Sequence, residues 1–284
     1  MLHIKHILFP VDFSERCCTA VPFVDAMARQ YGAKITLFSV SEALFYAALG
    51  EPGGPVLINA EETLADLKDR LNGALGNEFR GLEVERLADL GDPATLIVEF
   101  AQTHDVDLIM MPTHGYGRFR QLLLGSVTAK VLHDARIPVW TAAHRPDPMA
   151  AGHLPCRSVL CAIDGGPGAG PLLKWAAAFA KDSGALLRMV HVLPGMRDFP
   201  SPEYQDEERQ KAQEKIDRLL HGLNLTAPAS ILFGRVAETV CEEAARRLAD
   251  LVVIGRGVMN ERLGRLRSDA YGIIRQSPCP VLSV

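Results

Sequence analysis

The chain has 284 residues, of which 48% are hydrophobic and 23% are charged, and its formal net charge is −4. These values are ordinary for a water-soluble globular protein, and the length predicts about two domains. Lysine and arginine are scattered rather than clustered, so we expect no nucleic-acid partner. No apolar run approaches the roughly 20 residues of a membrane-spanning helix, and the amino terminus lacks a leader pattern. We therefore expect no membrane partner and a cytoplasmic location.

Apolar segments alternate with amphipathic segments through the first half of the chain. Strands are predicted at 5–11, 35–40, 82–88, 107–111 and 138–141, and helices at 14–31, 60–75, 93–104 and 127–133. An excursion that contains Gly and Pro, at 41–58, follows the second strand. Strands that are nearly continuously apolar and alternate with helices predict a parallel sheet covered on both faces.

The second half of the chain repeats the first. Asp12 and Asp164 each follow an apolar strand and lie 152 positions apart, whereas the turns that begin at Gly91 and Gly234 lie 143 positions apart. The second half has therefore lost nine residues around its middle helix. The separation falls to 142 by the last strand, so one further residue is missing at or near the loop after the fourth strand. A repeat of this length indicates a duplicated domain.

A stretch rich in Pro, Gly and Ala separates the two repeats. We predict one domain at 1–146, a second at 153–284, and a linker at about 145–154. The predicted fold class is α/β, with two tandem doubly wound, five-stranded parallel sheets of strand order 3-2-1-4-5. Each half ends in an apolar strand at a sheet edge, and exposed edges of this kind pair with other strands.

The segment from Met111 to Val127 joins a predicted strand to a predicted helix through a loop that contains glycine. Free backbone N–H groups and the positive end of the helix converge at such a junction, which suits an anion. Gly115 and Gly125 would allow a ligand to approach the backbone closely. The hydroxyl of Ser126 can either cap the helix or serve as an oxygen donor to the ligand.

An acidic residue is expected to face this loop. In a doubly wound sheet, ligands bind beyond the carboxyl ends of the strands where the winding reverses, which here lies between the strand that ends at Asp12 and the strand that ends at Pro112. Two other interpretations stay open: Asp12 as a carboxylate that only stabilises the first helix, and the glycines as a turn without a ligand. His114 is either a solvated loop histidine or a catalytic base.

The spacing from Gly115 across nine residues to Gly125-Ser126 resembles the nucleotide loop of the universal stress proteins. Further segments in the family's order are Pro10-Val11-Asp12-Phe13-Ser14, Gly91-Asp92-Pro93-Ala94, Thr113-His114-Gly115, Leu122-Leu123-Leu124-Gly125-Ser126-Val127 and Ile137-Pro138-Val139. One position departs from the family pattern, because its first glycine is Pro112 here, and proline has no N–H to donate to a phosphate.

The resemblance implies a tandem universal stress protein that binds ATP or another adenine nucleotide, with or without magnesium. It implies that Asp12 contacts the ribose or the adenine, that the Val40 backbone pairs with the adenine, and that the loop cradles the phosphates. The implied binding residues are Asp12, Val40, Met111, Thr113, His114, Gly115, Gly125, Ser126 and Val127. The family pairs its last strands across a two-fold axis, which would make the two halves an intrachain pseudo-dimer. A homodimer of two chains also stays open.

The second half is expected to bind nucleotide weakly or not at all. Asp164 and Val192 match the first half, but the loop begins Gly255-Arg256-Gly257 and is one residue short, and Arg267 takes the place of Gly125. A long cationic side chain would stand where a phosphate approaches the backbone. We expect Arg267 or Arg256 to occupy the phosphate space itself.

Three functions are compatible with these features. The first is a stress-response protein that binds an adenine nucleotide in its first half and acts by ligand-dependent regulation or interaction rather than fast catalysis. The second is a slow ATPase or nucleotide-transferring enzyme in which His114 or Ser126 is active. The third is an interaction module whose nucleotide site has decayed through the loss of a donor at Pro112.

The six cysteines carry no Cys-x-x-Cys pair. They lie far apart or inside apolar runs, which indicates reduced thiols, and we assign no metal ligand. His153, Cys156 and Cys161 do cluster near the predicted linker, which leaves an accidental metal site open.

Overall fold

The computed structural model describes residues 1–42, 60–113, 124–142, 156–194, 202–256 and 268–284. Two compact units make up the chain: His3–Ala142, and Ala143–Val284 together with Met1–Leu2. The predicted linker at about 145–154 lies outside the described residues, and the predicted domain bounds stay predictions. Within the described residues, no helix is both long and apolar enough to cross a membrane.

The first unit is a parallel five-stranded sheet with helices between its strands. Its strands are β1 (His6–Pro10), β2 (Lys34–Ser41), β3 (Val84–Leu90), β4 (Leu108–Met111) and β5 (Val139–Thr141), and its helices are α1 (Glu15–Tyr31), α2 (Ala60–Gly73), α3 (Pro93–Thr103) and α4 (Ser126–Asp134). The strand order is β3-β2-β1-β4-β5, and every pairing is parallel. The predicted order 3-2-1-4-5 is therefore confirmed.

The first helix begins and ends where its sequence predicts. The Ser14 side chain accepts a hydrogen bond from the Cys17 backbone N–H at 3.1 Å, which caps the amino end. Gly32 ends the helix in the left-handed conformation, with φ of 60°. Between these caps α1 buries one face, and β1 is buried along its whole length.

The edge strand β3 begins two residues later than the predicted segment 82–88. Leu82 is still in the preceding turn, since its backbone N–H donates to the carbonyl oxygen of Phe79 at 3.1 Å. Pairing with β2 starts only at Val84 and continues to Leu90. The turn after α2, which this hydrogen bond closes, therefore fixes the residue at which β3 begins.

His6, a buried residue of β1, has a hydrogen-bond partner at each nitrogen of its ring. His6 Nδ1 lies 2.9 Å from the carbonyl oxygen of His104, which can only accept, so Nδ1 carries the proton. In the neutral ring Nε2 then accepts from the Thr36 hydroxyl, 2.8 Å away. Burial lowers the pKa of His6 below its usual value.

The second unit repeats this architecture. Its strands are β6 (Ser158–Ile163), β7 (Leu186–Pro194), β8 (Ala229–Gly234), β9 (Leu251–Ile254) and β10 (Val281–Ser283), and its helices are α5 (Ala169–Ser183), α6 (Pro202–Leu223), α7 (Val236–Arg246) and α8 (Ser268–Gln276). The strand order is β8-β7-β6-β9-β10, again parallel throughout. This is the order of the first unit. The pairing of the two halves as a pseudo-dimer stays a prediction.

The repeat extends to single hydrogen bonds. Asp107 Oδ2 accepts from the backbone N–H groups at 5–6, at 2.6 and 3.0 Å, where β1 begins. Asp250 Oδ2 accepts from the N–H groups at 157–158, at 2.8 and 2.9 Å, where β6 begins. Each carboxylate satisfies two backbone donors at the amino end of its sheet. These aspartates belong to the scaffold and not to the candidate site, which lies at the opposite end of the strands.

Candidate functional site

Three of the predicted site residues meet at the carboxyl end of β1. This strand pairs with β2 at an offset of 28 positions and with β4 at an offset of 101 positions. Continued past the strand end, these registers place Asp12 level with Val40 on one side and with Thr113 on the other. This is the switch point of the sheet, because β1 is followed by β2 on one side while β4 is added on the other.

One of the two carboxylate oxygens of Asp12 is bonded within the described part of the fold. Its Oδ1 accepts from the backbone N–H of Ser14 at 3.0 Å and from the Ser14 hydroxyl at 2.7 Å. Among the described residues, no donor lies within hydrogen-bonding distance of Oδ2. The residue is exposed. The helix-stabilising interpretation and the ligand interpretation are therefore compatible, since each uses a different oxygen of the same carboxylate.

The backbone of Val40 faces the same edge. In a strand, residues two apart direct their N–H and C=O groups to the same side. The carbonyl oxygen of Phe38 accepts from the Val11 N–H at 2.8 Å and so points toward β1. The N–H and C=O of Val40 therefore point to the side on which Asp12 lies, where they meet the end of the β1 ladder.

The two ends of the candidate loop are joined directly. The Gly125 N–H donates to the carbonyl oxygen of Thr113 at 2.9 Å, and the Thr128 hydroxyl donates to the carbonyl oxygen of Pro112 at 3.0 Å. The amino end of α4 is thereby fixed against the carboxyl end of β4. Residues 114–123, which include the predicted His114 and Gly115, lie outside the described residues.

The helix after the loop begins one residue earlier than predicted. Gly125 is the N-cap of α4, and its carbonyl oxygen accepts from the Ala129 N–H at 2.8 Å. Ser126 is the first helical residue, so of the two roles left open for its hydroxyl the cap is excluded, and the contact with a ligand stays a prediction. The cap position is set by the extended backbone of Gly125, which has ψ of 143°. Among the described residues no side chain caps α4, so within that part of the chain nothing caps the backbone N–H groups of its first turn, which include that of Val127.

Met111 is engaged in the sheet. Its side chain is buried, and its carbonyl oxygen accepts from the Ala142 N–H at 3.1 Å within the sheet. The side chain of Thr113 is buried as well. Their predicted roles as binding residues stay predictions.

A cation reaches this edge from a helix that the sequence did not associate with the site. The Arg70 guanidinium carbon lies 4.3 Å from the centre of the Phe13 ring, next to Asp12 in the chain. Arg70 is in the last turn of α2. No sequence motif marks the residue, because its position depends on how α2 packs against the sheet.

The corresponding edge of the second unit has a different charge. The strand β6 pairs with β9 at an offset of 92 positions, which places Asp164 level with Arg256. Arg256 thus takes the position that Thr113 has in the first unit, and burial lowers the pKa of its guanidinium to about 10. Arg267 lies outside the described residues. The prediction that Arg256 fills the phosphate space stays a prediction.

The cysteines show no sign of a metal site in the part of the chain that the structure describes. All six cysteines lie within the described ranges and are free thiols. No group of three or more His, Cys, Asp or Glu among the described residues could hold a metal ion. Burial raises the pKa of the Cys161 thiol to about 12. His153, the third member of the cluster noted in the sequence, lies outside the described residues.

Comparisons with known proteins agree with the internal repeat. The universal stress protein family matches this chain twice, at 3–142 and at 155–284. A universal stress protein of Methanocaldococcus jannaschii is 30% identical over 151 residues, which cover 48% of this chain and 92% of the relative. One from Mycolicibacterium smegmatis is 26% identical over 294 residues, which cover 98% of this chain and 96% of the relative.

A similar fold is found among solved structures. The crystal structure of a universal stress protein from Archaeoglobus fulgidus superposes with a TM-score of 0.70 at 22% identity, covering 98% of this chain and 95% of that one. A protein of unknown function from Pseudomonas aeruginosa gives a TM-score of 0.68 at 17% identity, covering 99% of this chain and 92% of that one. With both repeats matched by the family, the chain belongs to the universal stress proteins, as a tandem member.

Proposed function

We propose that the first repeat binds an adenine nucleotide at the carboxyl edge of its sheet, and that the chain acts by ligand-dependent regulation or interaction rather than by fast catalysis. The observation that carries this proposal is the convergence of Asp12 with the amino end of α4 at the switch point. The proposed ligand is ATP or another adenine nucleotide, and the proposed place of action is the cytoplasm.

The polarity of this edge suits a nucleotide. Of the two oxygens of Asp12, only Oδ1 bonds to Ser14 at the start of α1. Oδ2 can therefore accept from a ribose hydroxyl or from the adenine amine. The first-turn N–H groups of α4 and the positive end of its dipole favour the phosphates. The Val40 backbone can pair with the edge of the base. An acceptor at one end and donors at the other match the two ends of a nucleotide.

The second repeat is proposed to bind nucleotide poorly. Its edge places Arg256 where the first repeat has a threonine. In this proposal the half-buried Arg256 side chain takes the space that a phosphate would need at this edge. This proposal predicts one nucleotide for each chain rather than two.

Equilibrium binding of ATP to the full chain by isothermal titration calorimetry tests the proposal. Loss of one hydrogen bond to a charged group in Asp12→Ala is expected to weaken binding roughly ten- to a hundredfold. Gly125→Arg is expected to abolish binding, and Gly125 has φ of −59°, which any residue adopts, so backbone strain is not introduced.

Asp164→Ala is the matched control, since it removes the equivalent carboxylate of the second repeat and should leave the affinity unchanged. Equal affinity for ATP in the wild type, Asp12→Ala and Gly125→Arg would contradict the proposed site.

A further inference from the structure

Phe13 has a backbone conformation that is unfavourable for a bulky residue. Its φ is 59°, in the left-handed region that favours glycine. At the matching position the second repeat has Gly165, with φ of 68°. The turn after each strand-tip aspartate therefore requires this conformation, and the first repeat keeps a phenylalanine there in spite of it.

The left-handed turn directs the Phe13 ring toward α2, where Arg70 covers it. The guanidinium carbon is 4.3 Å from the ring centre, a distance at which the ring attracts the cation. Arg70 is exposed, and among the described residues no carboxylate lies within ion-pair distance of it. One surface of the guanidinium rests on the ring, and its donors have no acidic partner in the described part of the chain.

At the position that matches Phe13, the second repeat has a lysine side chain nearby but no aromatic ring. A Cβ atom built on Gly165 would lie 3.3 Å from Lys215 Nζ and 3.6 Å from Lys215 Cδ. The lysine side chain thus lies over the glycine, where the first repeat has an arginine over a phenylalanine. The cation–ring pair occurs in the repeat that keeps Gly125 and Ser126, and it is missing from the repeat that has Arg256 in place of Thr113.

We propose that Arg70, held on the Phe13 ring, stacks on the base of the nucleotide bound at the first-repeat edge. A guanidinium is planar and stacks on aromatic faces on either side. The proposal rests on the proposed function, in which Asp12 binds the ribose or the adenine amine and the Val40 backbone pairs with the edge of the same base. Arg70 then adds a contact to the face of the base, and Phe13 is a positioning residue that acts through Arg70.

A stacking contact and a phosphate contact differ in how they depend on the ligand. Stacking on the base is the same for ATP, AMP and adenosine. A contact with phosphate would matter more as phosphates are added, and it would weaken with salt. The number of phosphates therefore separates the two roles of Arg70.

The test is calorimetric titration of the full chain with ATP, AMP and adenosine. Arg70→Ala is expected to weaken all three by the same factor, about two- to fivefold, as for a cation–π contact at an exposed site. Phe13→Gly relieves the backbone strain and removes the platform, so it should weaken binding by a similar factor while leaving the protein equally or more stable. Lys68→Ala, which removes an exposed charge from the same helix, should change nothing.

Each other outcome has a definite meaning. Binding that is equal in the wild type and Arg70→Ala overturns the assignment of Arg70 and leaves the proposed function standing. A loss that grows from adenosine to AMP to ATP also overturns it, because the guanidinium would then act on phosphate. Failure of the wild type to bind any of the three ligands overturns the proposed function, and this inference with it.

Discussion

The two repeats agree where the backbone is held in place and differ at one position of the carboxyl edge. At the amino ends, Asp107 and Asp250 accept the same pair of backbone bonds. The turns that lead into the third helix of each unit also agree, since Gly91 and Gly234 have φ of 154° and 152°. At the carboxyl ends, a threonine in one repeat is replaced by a half-buried arginine in the other. The repeats have thus kept the positions that the backbone requires, and the carboxyl edge differs at this position although both repeats keep the strand-tip aspartate, Asp12 or Asp164.

The helix pairs of the two units are also joined by different means. In the first unit, Lys130 Nζ on α4 lies 2.8 Å from Asp92 Oδ1, at the cap of α3. In the second unit, α8 approaches α7 closely, since a Cβ on Gly272 would lie 2.7 Å from the Cβ of Ala237. The first unit links these helices by a polar contact on its surface, and the second by close packing. The link in the first unit holds the helix that begins at the candidate site.

The largest effect on stability is expected from the turn glycines. Gly234→Ala and Gly91→Ala should each lower the free energy of unfolding by about 1–3 kcal/mol, through backbone strain and crowding. The effect should be larger for Gly234, because its new Cβ would collide with the Thr239 hydroxyl, whereas that of Gly91 would lie 3.0 Å from a flexible Leu96 methyl group.

Urea unfolding followed by tryptophan fluorescence can assign each loss to its repeat. The chain has two tryptophans, one in each unit, so Trp175→Phe leaves a reporter of the first unit and Trp140→Phe a reporter of the second. Gly222→Ala in α6 is the control, since a Cβ there meets nothing within 4 Å, and it should stabilise by about 0.5–1 kcal/mol. Unchanged stability in Gly234→Ala would show that the shared turn does not constrain the backbone.

The amino-end aspartates should give equal losses in the two repeats. Asp107→Ala and Asp250→Ala each remove the acceptor of two backbone N–H groups, which should cost about 1–2 kcal/mol. The same single-tryptophan variants measure the loss in each unit. A clear inequality between the two would mean that one carboxylate has a role beyond the shared scaffold.

The caps of α3 and α7 should differ in a predictable direction. Asp92 accepts from the Thr95 N–H at 2.9 Å, whereas Arg235 gives α7 no side-chain cap. Asp92→Ala should cost about 1 kcal/mol, and Arg235→Asp should stabilise by up to about 1 kcal/mol. Hydrogen bonds from Lys130 and Thr95 hold the pKa of Asp92 at about 2. Its contribution should therefore persist at pH 4 and be lost only as the pH falls toward 2. A loss of stability in Arg235→Asp would contradict this account of the caps.

The smallest effect concerns acid stability. Burial lowers the pKa of His6 below 6.5, so the unfolded chain binds the proton first and the first unit should lose stability as the pH falls below 6.5. The charges that act on the ring are Lys34, Glu85 and Asp107. His6→Ser, which installs the residue found at Ser158 in the second unit, should flatten this pH dependence. Unfolding of the two proteins between pH 7.5 and pH 5 measures it, and parallel curves would contradict the assignment.

The alternation of apolar strands with helices predicted a doubly wound parallel sheet, and the structure has the strand order 3-2-1-4-5 that was predicted with it. The position of Asp12 at the carboxyl edge next to β4 was predictable for the same reason. The cap of α4 was not, since the choice between Gly125 and Ser126 depends on a single ψ angle. Arg70 was not predictable either, because it reaches the edge only through the packing of α2 against the sheet.

Native mass spectrometry of the full chain with added ATP tests the asymmetry of the repeats most directly. We predict one nucleotide for each chain in the wild type and in Asp164→Ala, and none in Gly125→Arg. Two nucleotides for each chain, or a single nucleotide that survives Gly125→Arg and is lost in Asp164→Ala, would contradict the assignment of the ligand to the first repeat.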